Sequence, residues 1–569
     1  MIQPDYAMIQ SHFTFGLNLA KLLAEKDDHE IHLLVPIRDE NDKLPDRNDE
    51  KLLNVRYFIE KSDYKKNSTE SSRKIGTPPN NMTYFAIANN SSLMDDLCAE
   101  QFDVGIAEAF MMSEYSMTIF HFLRIPVTIA TSAMPISPHQ FYLLGILSKM
   151  AAGNVPASSG LPMRPNILDK NKRIEQRKIV GTIIGDHREE QLQKRSAEIW
   201  TNHMEETLEK IKAHMEMDPI YQQLAEHKYA FDNFPGLDDI FRKTRFFLVN
   251  SQPEVDFDNY RSVKGMEKVK FIGGFNLMPK ARELDEKISK KSDGKKGIVL
   301  VSFGTVVDTT NPAFSDIIEA VKETIKNFPE FFFIWKMSKG DKRIRNISNE
   351  LSNVHSTDWV DQQGILGNSK TVAFVSHCGM NSVLEGIYNG VPMICVPFFG
   401  DQFYNAESLA RQQIGLVINR EQDKEMVQQQ LTVALAFTLK LNESNVSEDK
   451  IEMDKLEEIS KGLRQKNIPN IISEAFRVIE DEMGTNDLDR TVPNRQSCAQ
   501  RSHNNNTTKE PIISSGEMAQ RLRAWLHREG SSKVQLPKHT STFFFTNGAV
   551  AIVRDFNLYK VNYCSLIRA

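Results

Sequence analysis

Residues 359–402 read WVDQQGILGNSKTVAFVSHCGMNSVLEGIYNGVPMICVPFFGDQ. Thr371 to Ser376 (TVAFVS) is an apolar run of strand length bounded by polar residues, the pattern of a buried parallel strand. His377 therefore stands at a strand's carboxyl end. Cys378 and Gly379 supply a turn, Asn381 or Ser382 can cap a helix that continues as VLEGIYNG, and Gly390 with Pro392 ends it. In open α/β sheets, ligands bind outside the carboxyl ends of strands, and a helix N-terminus adds unpaired N–H donors and partial positive charge. A nucleotide diphosphate fits such a place, and His377 can add a further donor.

The same stretch resembles the signature of the UDP-dependent glycosyltransferases, in which Trp-x-x-Gln precedes His-x-Gly-x-Asn-x-x-x-Glu and a closing Asp-Gln. Here those anchors are Trp359, Gln362, His377, Gly379, Asn381, Glu385, Asp401 and Gln402. The resemblance implies an α/β fold of the GT-B type, two Rossmann-like domains facing a cleft. It implies that Trp359 stacks on uracil and that Gln362 and Glu385 bind the ribose hydroxyls. His377, Asn381 and Ser382 would hold the diphosphate around the Gly379 turn, and Asp401 and Gln402 the sugar hydroxyls. The residue types suit those roles, since a flat ring matches uracil and a carboxylate matches a vicinal diol. Two positions depart from the commonest pattern: Asp361 stands where Pro is usual, and Cys378 where Gly is frequent. Neither removes a ligand.

At 569 residues, two nucleotide-fold domains and a tail are expected. The division expected is 1–245 for an acceptor-binding domain, 246–480 for a UDP-sugar-binding domain, and 481–569 for a mostly disordered or unrelated tail. A net charge of −5 among 70 basic and 75 acidic residues gives no reason to expect nucleic-acid binding. Five cysteines, an odd number, give no readable disulfide framework. The opening MIQPDYAMIQSHF lacks the charged and apolar regions of a signal peptide, and no apolar run reaches the roughly 20 residues of a membrane span. The resemblance, in contrast, implies the endoplasmic reticulum, membrane association and a role in detoxification, so the compartment stays open.

The N-terminal half alternates helix and strand. Phe13 to Glu25 has helical apolar spacing with Ser11 as a candidate cap, and Ile31 to Pro36 reads as a buried strand. A strand before the first helix is missing from this reading. Further strands are expected at 102–107, 126–130 and 246–251. His12, at the start of the helix, and Glu108, at a strand's carboxyl end, match the family's base and its acidic partner, where Asp is commoner than Glu. Imidazole suits proton removal near neutral pH, and a carboxylate on its far nitrogen fixes the tautomer. The polar stretch 141–239 carries the acceptor site in the family, with Phe141 and Tyr142 as candidates by location.

After a linker near 252–268, Lys270 to Gly274 resembles the opening of the second domain. Gly297 to Thr305 (GIVLVSFGT) is a strand running into a turn whose Ser302, Gly304 and Thr305 can approach a phosphate or ribose. Phe331 to Lys336 is a core strand with Trp335 packed inside. Glu457 to Lys466 fits a helix crossing back over both domains, and the Asn-Gly within 543–553 suggests a hairpin. No metal-binding cluster is legible, and no cofactor is expected beyond the UDP-sugar co-substrate. The resemblance implies inverting, metal-independent transfer of glucuronate or glucose from a UDP-sugar to a hydroxyl of a small lipophilic acceptor. A catalytically impaired UDP-sugar-binding relative and a sugar epimerase are the alternatives.

Overall fold

The computed structural model describes residues 1, 10–26, 29–35, 87–88, 90–109, 116–136, 140, 144, 237–256, 265–277, 284–441, 451–485, 543–546, 549–554 and 557–562. Two α/β bodies result, each built on its own parallel sheet.

The first body contains helices α1 (Gln10–Lys26), α2 (Ser91–Glu100), α3 (Ser116–Phe122) and α4 (Leu237–Arg242) and strands β1 (Val104–Glu108), β2 (Val127–Ser132), β3 (Phe246–Val249) and β4 (Val269–Phe271). The strands pair in parallel in the order β1-β2-β3-β4. Apolar residues recur along α1 at helical spacing, so Phe15, Leu19 and Leu23 pack on Ile106, Ile129 and Leu248 of the sheet. Three expectations change here. Ser11 lies inside the first turn of α1, not before it. The run 31–36 forms only an isolated pairing, with Leu34 N–H donating to the Met1 carbonyl at 2.8 Å, and its last residue lies outside the described residues. The division at 245/246 falls inside this sheet, because β3 and β4 both belong to it; KFIGG thus closes the first body and does not open the second. The missing first strand, Phe141, Tyr142 and the polar stretch around them lie outside the described residues.

The second body alternates strand and helix: α5 (Glu286–Ser292), β5 (Ile298–Ser302), α6 (Ser315–Ile325), β6 (Phe332–Lys336), α7 (Arg343–Glu350), β7 (Val354–Thr357), α8 (Gln362–Leu366), β8 (Thr371–Ser376), α9 (Met380–Tyr388), β9 (Met393–Cys395), α10 (Gln402–Arg411), β10 (Gly415–Val417) and α11 (Lys424–Thr438). Its all-parallel sheet has the order β10-β9-β8-β5-β6-β7. The chain runs outward from β5 to β7, returns to β8, and runs outward again on the other side. The switch point is therefore between β5 and β8, where a parallel sheet opens a crevice at its carboxyl ends. Both faces are covered, so the strands are apolar throughout; β5 is buried along its whole length, and Trp335 is fully buried.

Two further helices follow. Helix α12 (Met453–Gln465) packs on α9. It stays with the second body, and the crossing expected of 457–466 is made instead by α13 (Ile468–Thr485), whose Ile472, Phe476 and Ile479 join Phe15 and Leu19 in the first body's core. This helix also runs past the expected boundary at 480. Far along the tail, β11 (Phe543–Thr546), β12 (Ala549–Arg554) and β13 (Asn557–Asn562) form an antiparallel sheet. The pairing of Thr546 with Ala549 is the register of the hairpin expected around Asn547-Gly548, and the third strand is an addition to it. No described helix is long and apolar enough to cross a membrane.

Candidate functional site

The turn after β8 is tighter than its sequence suggested. Cys378 adopts φ 60°, a left-handed conformation that glycine reaches without the steric cost of a Cβ. It is joined by a disulfide to Cys395, at the end of neighbouring β9, with Cα atoms 5.5 Å apart. The expectation of no readable disulfide is thereby replaced: the bond ties the carboxyl ends of two adjacent strands beneath the turn. Gly379, extended at φ −62° and ψ 149°, is the N-cap of α9. Asn381 and Ser382 do not cap the helix but occupy its first turn, with their side chains beside the N-terminus.

His377 reaches across the switch point to the turn after β5. A Cβ on Gly304 would lie 2.5 Å from His377 Nε2, and one on Gly379 would lie 2.6 Å away, so both glycines are needed for the ring's position. Gly304 also has φ 76°. Ser302 is buried at the end of β5, and Thr305 is exposed. The His377 Nδ1 atom is buried without a hydrogen-bond partner among the described residues. Burial, with the Lys336 charge adding to it, lowers the imidazole to about 4, so the ring is neutral at pH 7. Lys336 itself ends β6 and donates to the Gly304 carbonyl. A neutral imidazole, an ammonium and the N-terminus of a nine-residue helix are the groups from which anion sites are built.

The rest of the stretch from 359 to 402 lines the same crevice. Trp359 is 73% exposed, which leaves its ring face open to stacking. Gln362 Nε2 donates to Ser382 Oγ at 3.2 Å and to Glu385 Oε2 at 2.5 Å, so these three side chains form one polar cluster. Burial pushes the Glu385 carboxyl up to about 7; the Gln362 and Gln363 side chains oppose this and Asp361 adds to it. Glu385 as a residue is half-buried. Asp401 accepts from Asn405 Nδ2 at 2.8 Å, and the same nitrogen donates to the Cys378 carbonyl at 3.0 Å. Gln402 uses its oxygen within the loop before Asp401. It is buried, and its Oε1 accepts from the N–H groups of Phe398 and Phe399 at 2.8 and 3.2 Å, so its oxygen shapes the loop before Asp401.

The first body contributes His12 and Glu108, both buried. His12 Nδ1 lies 2.6 Å from Glu108 Oε1, and the same oxygen accepts from Ala133 N–H at 2.8 Å. A carboxylate held from behind by a backbone amide is thus fixed against the ring nitrogen, which leaves Nε2 as the atom able to accept a proton. Burial alone would lower the imidazole's proton affinity. The Glu108 charge and hydrogen bond outweigh it, Asp401 adds in the same direction, and the net shift is upward. The His12 charge acts on Asp401 in turn, against the larger effect of burial, which leaves that carboxyl raised. The two bodies therefore meet at a shared site. Lys336, Asn405 and the disulfide were not singled out from sequence. Lys336 could have been, since it ends a core strand on the crevice side; the other two depend on tertiary placement.

Residues 194–455 match the family described as UDP-glucoronosyl and UDP-glucosyl transferase. A Caenorhabditis elegans protein named as a UDP-glucuronosyltransferase, ugt-48, is 38% identical over 157 residues, covering 28% of this chain and 30% of the relative. The ecdysteroid UDP-glucosyltransferase of Autographa californica nuclear polyhedrosis virus is 30% identical over 229 residues, covering 38% and 43%. The chain thus spans under half the length of these curated relatives. Among solved structures, Phytolacca americana UGT2 complexed with UDP-2fluoro-glucose and pterostilbene aligns with a TM-score of 0.51 and 16% identity over 84% of this chain and 98% of that one, which is a likeness of fold.

Proposed function

We propose, from the match of residues 194–455 to the family described as UDP-glucoronosyl and UDP-glucosyl transferase, that the chain transfers a sugar from a UDP-sugar to a hydroxyl of a small lipophilic acceptor, with inversion at the anomeric carbon. The observation that carries this reading is the buried His12–Glu108 pair facing, across the crevice, a second body that presents Asp401 and the open end of α9.

In this reading the acceptor hydroxyl gives its proton to His12 Nε2 while its oxygen attacks the anomeric carbon. The bond from that carbon to the diphosphate breaks on the opposite face, which inverts the centre. Glu108 stabilises the imidazolium that forms. Negative charge grows on the departing UDP, where His377, Asn381, Ser382 and the N–H groups of α9 would receive it; Ser302, Gly304 and Thr305 border the same space. Trp359 would stack on uracil, Gln362 and Glu385 would bind the ribose, and Asp401 the sugar. These groups supply the charge stabilisation a metal would otherwise give, which supports a metal-independent reaction with no cofactor beyond the co-substrate. Glucuronate and glucose are the candidate sugars, and the ecdysteroid relative supports a lipophilic acceptor.

The reading of an impaired binder rested on a displaced His12 and is not favoured, because Glu108 holds that ring. The test is UDP release from UDP-glucose and from UDP-glucuronate with a panel of phenols, sterols and glycols. UDP binding without turnover on any acceptor would restore the impaired reading.

A further inference from the structure

Asn250 follows β3 in the first body, is 2% exposed, and faces the second body. Its backbone N–H donates to the Ser132 carbonyl at 2.8 Å, which continues the β2–β3 ladder and fixes the residue's position. Its side-chain Nδ2 makes two contacts, to the Ala133 carbonyl at 3.0 Å and to Asn381 Oδ1 at 2.7 Å. An amide nitrogen carries two hydrogens, so both bonds form together. A carbonyl can only accept, which settles that Asn250 presents its NH₂ group here. Asn381 must then turn its oxygen to Asn250.

That constraint has a chemical result at the donor site. The oxygen and nitrogen of an amide point away from each other, so anchoring Asn381 Oδ1 directs Nδ2, the donor, away from Asn250. Asn381 lies in the first turn of α9 beside the His377 turn, where a donor is useful to an anion and an acceptor is repelled by it. A freely turning amide would offer either end. The same chain of bonds continues through Ala133, whose N–H holds Glu108 Oε1, which meets His12 Nδ1. One buried side chain therefore joins the proton-accepting pair of one body to the anion-binding turn of the other.

We propose that Asn250 is a positioning residue that locks the Asn381 amide as a donor toward the diphosphate of the nucleotide. This rests on the reading of the crevice as a UDP-sugar site. It predicts that Asn250 acts on the phosphates and not on the base or ribose.

The experiment compares binding of UDP and uridine to the full chain by calorimetry, for wild type, Asn250→Ala, the near-isosteric Asn250→Asp, Asn381→Ala and the double alanine variant. The loss of one charge-assisted hydrogen bond corresponds to a weakening of about ten-fold or more. UDP affinity should fall by that factor in Asn250→Ala and at least as much in Asn250→Asp, while uridine affinity stays within about two-fold of wild type. In the Asn381→Ala background, removal of Asn250 should cost little more, since the two act as one unit. Asn250→Asp preserves the shape of the site, so it reports even if the alanine variant folds poorly. Equal weakening of UDP and uridine, or fully additive losses, would overturn the proposal while leaving the UDP site intact. Wild type binding UDP no better than uridine would overturn the site reading as well.

Discussion

Asp401, at the start of α10, acts by charge on His12, in the first turn of α1, although the two belong to different bodies and lie far apart in the sequence. A sugar held by Asp401 would therefore lie beside the group expected to activate the acceptor. Burial lowers the proton affinity of His12, and Glu108, with a smaller contribution from Asp401, raises it above the ordinary value.

The first prediction follows from that sharing. His12 must be neutral to accept a proton, and its pKa is raised above the ordinary 6.5, so kcat/KM should rise with pH through a value above 6.5. Glu108→Gln should move this limb to lower pH and reduce kcat by about 10²-fold or more, because the amide cannot stabilise imidazolium. Asp401→Asn should move it in the same direction by less. His12→Ala should abolish the limb and most of the turnover while UDP binding persists. A pH–rate profile for each variant checks these outcomes, and unchanged turnover in His12→Ala would remove this residue from the mechanism.

Glu385 gives a second pH dependence, on the donor side. A carboxylate accepts hydrogen bonds from both ribose hydroxyls, whereas the protonated form does so less well. With its pKa raised to about 7, the accepting form grows from pH 6 to pH 8. Affinity for UDP-glucose, whose diphosphate does not titrate in that interval, should rise several-fold across it, with a ceiling of about ten-fold per unit. Glu385→Gln should bind more weakly at pH 8 and show a flat profile. Isothermal titration at three pH values tests this; a sloping profile in the variant would assign the effect to another group.

The two glycines around His377 should separate in their effects. Gly379→Ala places a methyl group 2.6 Å from His377 Nε2 without demanding an unusual φ, so it should weaken UDP binding by about ten-fold with little change in thermal stability. Gly304→Ala meets the same ring at 2.5 Å and must also adopt φ 76°, which adds about 1 kcal/mol of destabilisation. Titration and melting curves measured side by side would distinguish the pair. Two melting temperatures lowered equally would contradict the argument.

The Cys378–Cys395 bond closes a separation of 17 residues, for which chain entropy gives about 3 kcal/mol of stability. Cys378→Ala/Cys395→Ala should lower the melting temperature and loosen the turn that carries His377. Cys378→Gly/Cys395→Ala should recover part of the loss, because glycine takes the left-handed conformation more readily. Equal melting of the two double variants would show that the backbone at 378 bears no strain worth relieving.

Legibility from sequence followed the range of the interaction. Strands β5, β6 and β8 were readable because parallel strands covered on both faces are unbroken apolar runs. His12 and Glu108 were findable as a pair only through the family pattern, although each lies at the edge of an element that its own neighbourhood specifies. The start of α9 was misread by two or three residues: Asn381 and Ser382 have cap chemistry, but the turn forced by Cys378 puts Gly379 at the cap. The boundary between the bodies was misplaced because β3 and β4 are four and three residues long and owe their sheet to pairing, β3 on β2 and β4 on β3. Asn250 had a usable signal, a polar residue at the carboxyl end of an apolar strand, yet its partner across the crevice could come only from the fold. Gln402 matched the pattern, and that its oxygen also braces the loop before Asp401 could come only from the fold.

The polypeptide passes between the two bodies twice among the described residues, once after β4 and once between α12 and α13. Lys466, at the second passage, binds both Gln252 and Glu254, which follow β3, at 2.6 to 2.9 Å. The Lys466 ammonium thus fastens the second passage to the loop that begins just after Asn250, so the Asn250–Asn381 contact between the bodies and the chain's return to the first body share one short segment, residues 250–254.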